Sequence, residues 1–133
     1  MIRAGCDTSV LTTGKTWRDK IDMLRAAEDD DRVLVIISAI SVFELLKLFY
    51  QRGRANEGRD IVQALHDNEG IEVVPISSLI AERAAGYAHG TGLPAADSLI
   101  LATMVVSSCE VLLTRDRHFD VAAQQGIIKV EFL

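Results

Sequence analysis

Cysteine and proline each occur only twice in this chain, no apolar run is long enough to span a membrane, and positive charge is in deficit. The two cysteines, Cys6 and Cys109, lie in apolar, strand-like surroundings. They read as buried free thiols of a protein kept in reducing cytosol, and a disulfide framework is not expected. Each proline marks a boundary: Pro75 closes an apolar run and Pro94 opens another. The formal net charge of -5 argues against a simple electrostatic binder of nucleic acid, which needs a basic face. It leaves open a site where bound metal ions supply the local positive charge. Met1-Ile2-Arg3-Ala4-Gly5 has no charged region leading into a hydrophobic one, so a secretory leader is not expected. No serine or cysteine sits in a nucleophile motif. Gly14-Lys15-Thr16 resembles the end of a phosphate-cradling loop but lacks the upstream glycine. His66, His89 and His118 show no metal-ligand spacing.

What is present is a chain of 133 residues, 49% apolar, enough for a single domain over residues 1–133 with one core. Ile2 to Cys6 predicts a strand that turns at Asp7-Thr8-Ser9. Trp17, Ile21 and Leu24 at helical spacing predict a helix to about Asp29, ended by the solvated run Glu28 to Asp31. Val33 to Ile37 is continuously apolar and suits a parallel strand buried on both faces. Ser41 opens a helix to about Gln51, and after the polar stretch Arg52 to Gly58 a second helix runs to about Asn68. Ile71 to Val74 predicts a third strand, Ser77 to His89 a helix, and Pro94 to Ser107 a strongly apolar helix. Val111 to Leu113, Phe119 to Gln125 and Ile127 to Glu131 predict a strand, a short helix and a fifth strand. This alternation predicts an α/β sandwich with a mainly parallel sheet.

Four acidic residues stand where this pattern should exclude a lone charge: Asp7, Glu44, Asp97 and Asp116. A buried carboxylate is strongly unfavourable unless something compensates it. Asp7 and Asp116 each follow an apolar strand, at the edge where ligands bind in open α/β sheets. Asp97 is the only charge between Leu93 and Val106. Its place in a first helical turn gains about 0.3–1 kcal/mol from the helix dipole, less than burial takes away. Ser41-Val42-Phe43-Glu44 fits a capping box, a sufficient structural role for Glu44. Glu44 also falls off the core stripe of Val42, Leu45, Leu46 and Phe49, so it faces either solvent or a cleft. A shared hard cation, Mg²⁺ or Mn²⁺, suits all four carboxylates at once. The expectation is a metal-dependent enzyme acting on phosphate esters.

Other residues have two readings each. Asp120 is a fifth acidic contact or part of a solvated helix. Thr8, Ser9 and Thr114 orient metal ligands or cap turns. Lys15, Arg18 and Lys20, then Arg52, Arg54 and Arg59, then Arg115 and Arg117, hold a nucleic-acid backbone or are solvated surface. The last pair would rim the cleft beside Asp116.

Four segments carry a family resemblance. Asp7-Thr8-Ser9-Val10-Leu11, Ser38-Ala39-Ile40-Ser41-Val42-Phe43-Glu44-Leu45, Gly92-Leu93-Pro94-Ala95-Ala96-Asp97-Ser98-Leu99-Ile100 and Leu112-Leu113-Thr114-Arg115-Asp116-Arg117-His118-Phe119 resemble the signature segments of PIN domains, in particular of VapC-type toxins. The resemblance implies a three-layer α/β/α domain with sheet order 3-2-1-4-5. It implies a cytoplasmic Mg²⁺- or Mn²⁺-dependent ribonuclease whose metal site is Asp7, Glu44, Asp97 and Asp116. It further implies a homodimer, an RNA substrate and a cognate antitoxin. Between Leu11 and Arg32 the chain is polar and departs from the family's usual apolar character.

A rival reading is a PIN-like binding module that acts through antitoxin and operator assembly, with Phe43, Leu48 and Tyr50 either offered to a partner or part of the core. A receiver would want paired acids after the first strand, and a phosphatase of this topology a second aspartate at position 9, where Ser9 stands.

Overall fold

The computed structural model describes residues 1–12, 16–27 and 32–133. The expected loop at Glu28 to Asp31, the Gly14-Lys15 segment and the side chains of Trp17 and Leu24 lie outside the described residues.

Five strands build the sheet: β1 (Ile2–Cys6), β2 (Val33–Ser38), β3 (Ile71–Val74), β4 (Val111–Thr114) and β5 (Lys129–Phe132). All pairings are parallel and the order is β3-β2-β1-β4-β5, the order implied by the resemblance. Between the strands run α1 (Thr8–Leu11), α2 (Thr16–Ala27), α3 (Ala39–Gln51), α4 (Ala55–Asp67), α5 (Ser78–Thr91), α6 (Ala95–Val106) and α7 (Asp120–Gln124).

The pleat sorts each strand's side chains between two cores. Ile2, Ala4 and Cys6 join Val33, Val35, Ile37, Val111 and Leu113 on one face, under Val10, Ile21, Leu45 and Leu65 from the helices. Ile36 and Leu112 point the other way, into Leu93, Ile100, Leu101, Met104, Phe119 and Ala122. Gly5 is needed on that second face: a Cβ there would overlap the Met104 side chain, so glycine lets α6 lie against the central strand. Gly92, at φ 75°, ends α5 in the left-handed conformation that glycine adopts without penalty.

Most element boundaries fall within two residues of those predicted. The start of α4 differs, since Ala55 to Gly58, expected in the polar stretch before the helix, already belong to it. Two other differences have a physical reason. Asp7-Thr8-Ser9 was expected as a turn; Thr8–Leu11 is instead one helical turn. Ser41 was expected to open α3, but the helix begins at Ala39 because Ser38 caps it, its hydroxyl accepting the Ile40 N–H at 3.1 Å. The capping box at Ser41–Glu44 is therefore not formed, and the Glu44 carboxylate has other work.

Register fixes what lies at the sheet's carboxyl edge. Cys6 is level with both Ile37 and Leu113. The residues just beyond, Asp7, Ser38 and Thr114, consequently share one edge.

Candidate functional site

Asp7 follows the central strand and is only 4% exposed. Its two carboxylate oxygens are both occupied: Ser9 Oγ donates to Oδ1 at 2.7 Å and Thr114 Oγ1 donates to Oδ2 at 2.8 Å. These hydroxyls are themselves held in place. Ser9 Oγ accepts the Arg115 N–H at 2.9 Å, and Thr114 Oγ1 accepts the Asp116 N–H at 2.9 Å. The β1 and β4 ends are thus stitched together through one buried carboxylate. Burial pushes its pKa up, the two hydroxyls pull it down, and the nearby Asp116 charge adds to the rise.

Asp116 caps a 3₁₀ turn at Arg117–Phe119, its Oδ1 accepting the His118 N–H at 2.9 Å. The turn folds the imidazole back, placing His118 Nδ1 3.1 Å from Asp116 Oδ1 and 3.8 Å from Asp97 Oδ2. Asp97 sits in the first turn of α6 with its side chain 17% exposed. Its pKa is pushed up to about 6, first by burial, then by the charges of Asp116 and Glu44, with a smaller push from Asp7 and an opposing pull from His118. The charges of Asp116, Glu44 and Asp7 are thus all felt at Asp97.

Glu44 enters from α3 and is half-buried. Thr8 Oγ1 donates to Glu44 Oε1 at 2.7 Å and lies 2.9 Å from Ser41 Oγ. The structure therefore brings Asp7, Glu44, Asp97 and Asp116 to one end of the sheet, with Thr8, Ser9 and Thr114 as their hydrogen-bonding supports. It keeps Asp120 apart: that side chain is exposed and accepts from Gln124 Nε2 at 2.9 Å.

Ligand atoms of Asp97, Asp116 and His118 lie within 4.8 Å of one another, close enough to share one ion. Sequence spacing offered no metal pattern for His118. The signal was its position two residues after Asp116 in a turn. The donor set fits a divalent cation: among the described residues, no lysine or arginine is ion-paired with any of the four carboxylates.

The basic candidates divide. Lys20 pairs with Glu131 of β5 at 2.5 Å, Arg54 binds Glu57, and Arg59 donates to Asn56. Arg115 and Arg117 are exposed on either side of Asp116, and the Arg117 guanidinium lies 4.2 Å above the Phe132 ring. Lys15 lies outside the described residues. Phe43 and Tyr50 are exposed on α3, whereas Leu48 is half-buried. Cys6 and Cys109 are free thiols, and burial raises the pKa of both.

A family model for the PIN domain matches residues 6–125, a span that contains all four carboxylates. The chain belongs to the PIN domain family. No curated protein matches this PIN chain at a significant level. Solved structures do. A toxin–antitoxin complex from Klebsiella pneumoniae is 24% identical, with 87% of this chain and 89% of that chain covered and a TM-score of 0.62. VapBC2 from Rickettsia felis, bound to a DNA fragment from its promoter, is 13% identical over 98% of each chain with a TM-score of 0.72. VapC20 from Mycobacterium tuberculosis, described as a sarcin–ricin loop cleaving toxin, is 16% identical over 90% of this PIN chain and 94% of that one, with a TM-score of 0.65. At such identities the likeness is one of fold. Among the described residues, no helix is long and apolar enough to cross a membrane.

Proposed function

We propose that this PIN protein is a divalent-metal-dependent endoribonuclease, the toxin of a toxin–antitoxin pair, folded as one domain over residues 1–133. The observation that carries the reading is the gathering of Asp7, Glu44, Asp97 and Asp116 at one sheet edge with, among the described residues, no lysine or arginine paired to them. Family membership supports a nuclease, and relatives solved as toxin–antitoxin complexes support an antitoxin partner. A cytoplasmic homodimer acting on RNA completes the proposal.

Asp7, Glu44, Asp97 and Asp116 would hold the ion, Mg²⁺ with Mn²⁺ as substitute. When bound, such an ion acidifies water and stabilises negative charge on phosphate oxygens. The protein's own residues do the rest. Ser9 and Thr114 lock the Asp7 carboxylate in one orientation. Thr8 does the same for Glu44. Arg115 and Arg117 stand at the rim, suited to hold RNA phosphates and align the scissile bond. Hydrolysis then replaces the bond from phosphorus to the leaving ribose oxygen with a bond to the oxygen of water, and the ribose oxygen leaves with a proton.

The test is cleavage of mixed structured and single-stranded RNAs by purified protein with Mg²⁺, with Mn²⁺ and with chelator, beside Asp7→Asn. Metal-dependent cutting that the variant lacks is expected. Equal cutting by the variant, or cutting that persists in chelator, would overturn the assignment. A folded protein that binds metal and antitoxin yet cuts none of the RNAs would favour a binding module instead.

A further inference from the structure

We propose that His118 is a ligand of the metal centre, and that its nitrogen biases the site toward Mn²⁺ over Mg²⁺. This rests on the metal-centre reading above. Three observations carry it. First, the ring is aimed at the carboxylates: Nδ1 lies 3.1 Å from Asp116 Oδ1 and 3.8 Å from Asp97 Oδ2. In an octahedral shell with bonds of about 2.1 Å, neighbouring donor atoms lie about 3 Å apart and opposite ones about 4.2 Å apart. The distance to Asp116 matches that of neighbouring ligands, the distance to Asp97 falls between the two spacings, and all three donor atoms lie within 4.8 Å of one another. Second, the backbone fixes that aim, because the His118 N–H bonds to the same Asp116 oxygen and ties residue 118 to the carboxylate it flanks. Third, among the described residues His118 is the one basic side chain found beside Asp97 and Asp116, and it is 69% exposed. The exposed ring can carry its proton on Nε2, leaving the Nδ1 lone pair for the ion.

The consequence is selectivity. Mg²⁺ is hard and favours oxygen donors, whereas imidazole suits the first-row transition ions. Four carboxylates alone give an oxygen site. Adding one nitrogen turns it into a mixed set in which Mn²⁺ loses less than Mg²⁺ by giving up water.

The experiment uses the full-length protein and the metals alone. Mg²⁺ and Mn²⁺ are titrated calorimetrically into wild type, His118→Ala and His118→Gln, and the Mn²⁺ forms are examined by pulsed electron paramagnetic resonance for nitrogen coupling. Melting in chelator checks that the variants fold; His118 is exposed, so little change is expected. Wild type should show nitrogen coupling and both variants should lose it, since His66 and His89 remain exposed on α4 and α5 as internal controls. Mn²⁺ affinity should fall about tenfold or more in the variants, with a clearly smaller fall for Mg²⁺. Mn²⁺ bound to wild type without nitrogen coupling, yet lost in Asp97→Asn, would overturn the role of His118 and leave the carboxylate site standing. Equal losses for both ions would overturn the selectivity. Failure of wild type to bind either ion would overturn this inference together with the metal-centre reading.

Discussion

Asp7 and Asp97 bear the same side chain at the same sheet edge, yet their surroundings are opposite. Asp7 is buried at the end of the central strand with each oxygen receiving a hydroxyl. Asp97 is held on a helix, partly open, and feels three other carboxylates, offset among the described residues by the His118 imidazole. One half of the site is satisfied by the protein itself. The other half is left wanting a positive charge. A carboxylate that the fold already satisfies serves structure and site together, so its removal should harm both. A carboxylate that the fold leaves unsatisfied is a burden without its ligand, so its removal should harm function alone.

The largest expected effect tests that division at its functional end. Asp97→Asn should lower metal-dependent RNA cleavage by on the order of 10³-fold, since it removes a group on which transition-state charge stabilisation depends. Initial rates on a labelled RNA measure this, with circular dichroism unchanged. Next, Thr114→Val should destabilise the protein by about 1–3 kcal/mol, because the buried Asp7 Oδ2 and the Asp116 N–H both lose their partner. Urea denaturation in chelator reads it, and an unchanged midpoint would erase the contrast.

The third expectation sharpens the contrast by its sign. Burial and neighbouring charges raise Asp97 to about 6 in the folded state, above its ordinary 3.8, so the folded chain binds more protons than the unfolded one between these values. Metal-free stability therefore falls as pH rises from about 4 to about 6, and the loss persists above that window. Asp7 shifts in the same direction and adds to the slope. Asp97→Asn should flatten the slope and stabilise the metal-free protein at pH 7.5 by about 1–2 kcal/mol, allowing for water around a half-buried group. Melting temperatures in chelator across pH give the answer, and Mg²⁺ should raise the wild-type melting temperature more than the variant's. The smallest effect belongs to Asp120→Asn, outside the cluster. Its stability should change by less than about 0.5 kcal/mol and its cleavage rate should stay close to wild type.

Strands and helices were legible because their signals are local. Val33 to Ile37 reads as a doubly buried strand without reference to anything else, and the lone charge of Asp97 stands out against its apolar helix. The sheet order came only through the family resemblance, since strand adjacency is a property of the whole chain. The true cap of α3 was hidden because Ser38 and Ser41 both suit the position, and only the end of β2 decides between them. The approach of His118 to Asp97 could not be read from spacing because Asp97 is brought by a different helix. Likewise, nothing local says that Thr8 will meet Glu44 or that Thr114 will meet Asp7.

That last hydrogen bond spans 107 residues of chain. Because β1 is made first and takes its place at the centre of the sheet, Asp7 emerges from the ribosome long before the strand that will complete its surroundings. Until β4 is synthesised and slots in beside β1, neither Thr114 nor Asp116 is present, and the fourfold carboxylate site does not exist. The acidic cluster is therefore a product of late assembly, complete only once β4 has joined the sheet.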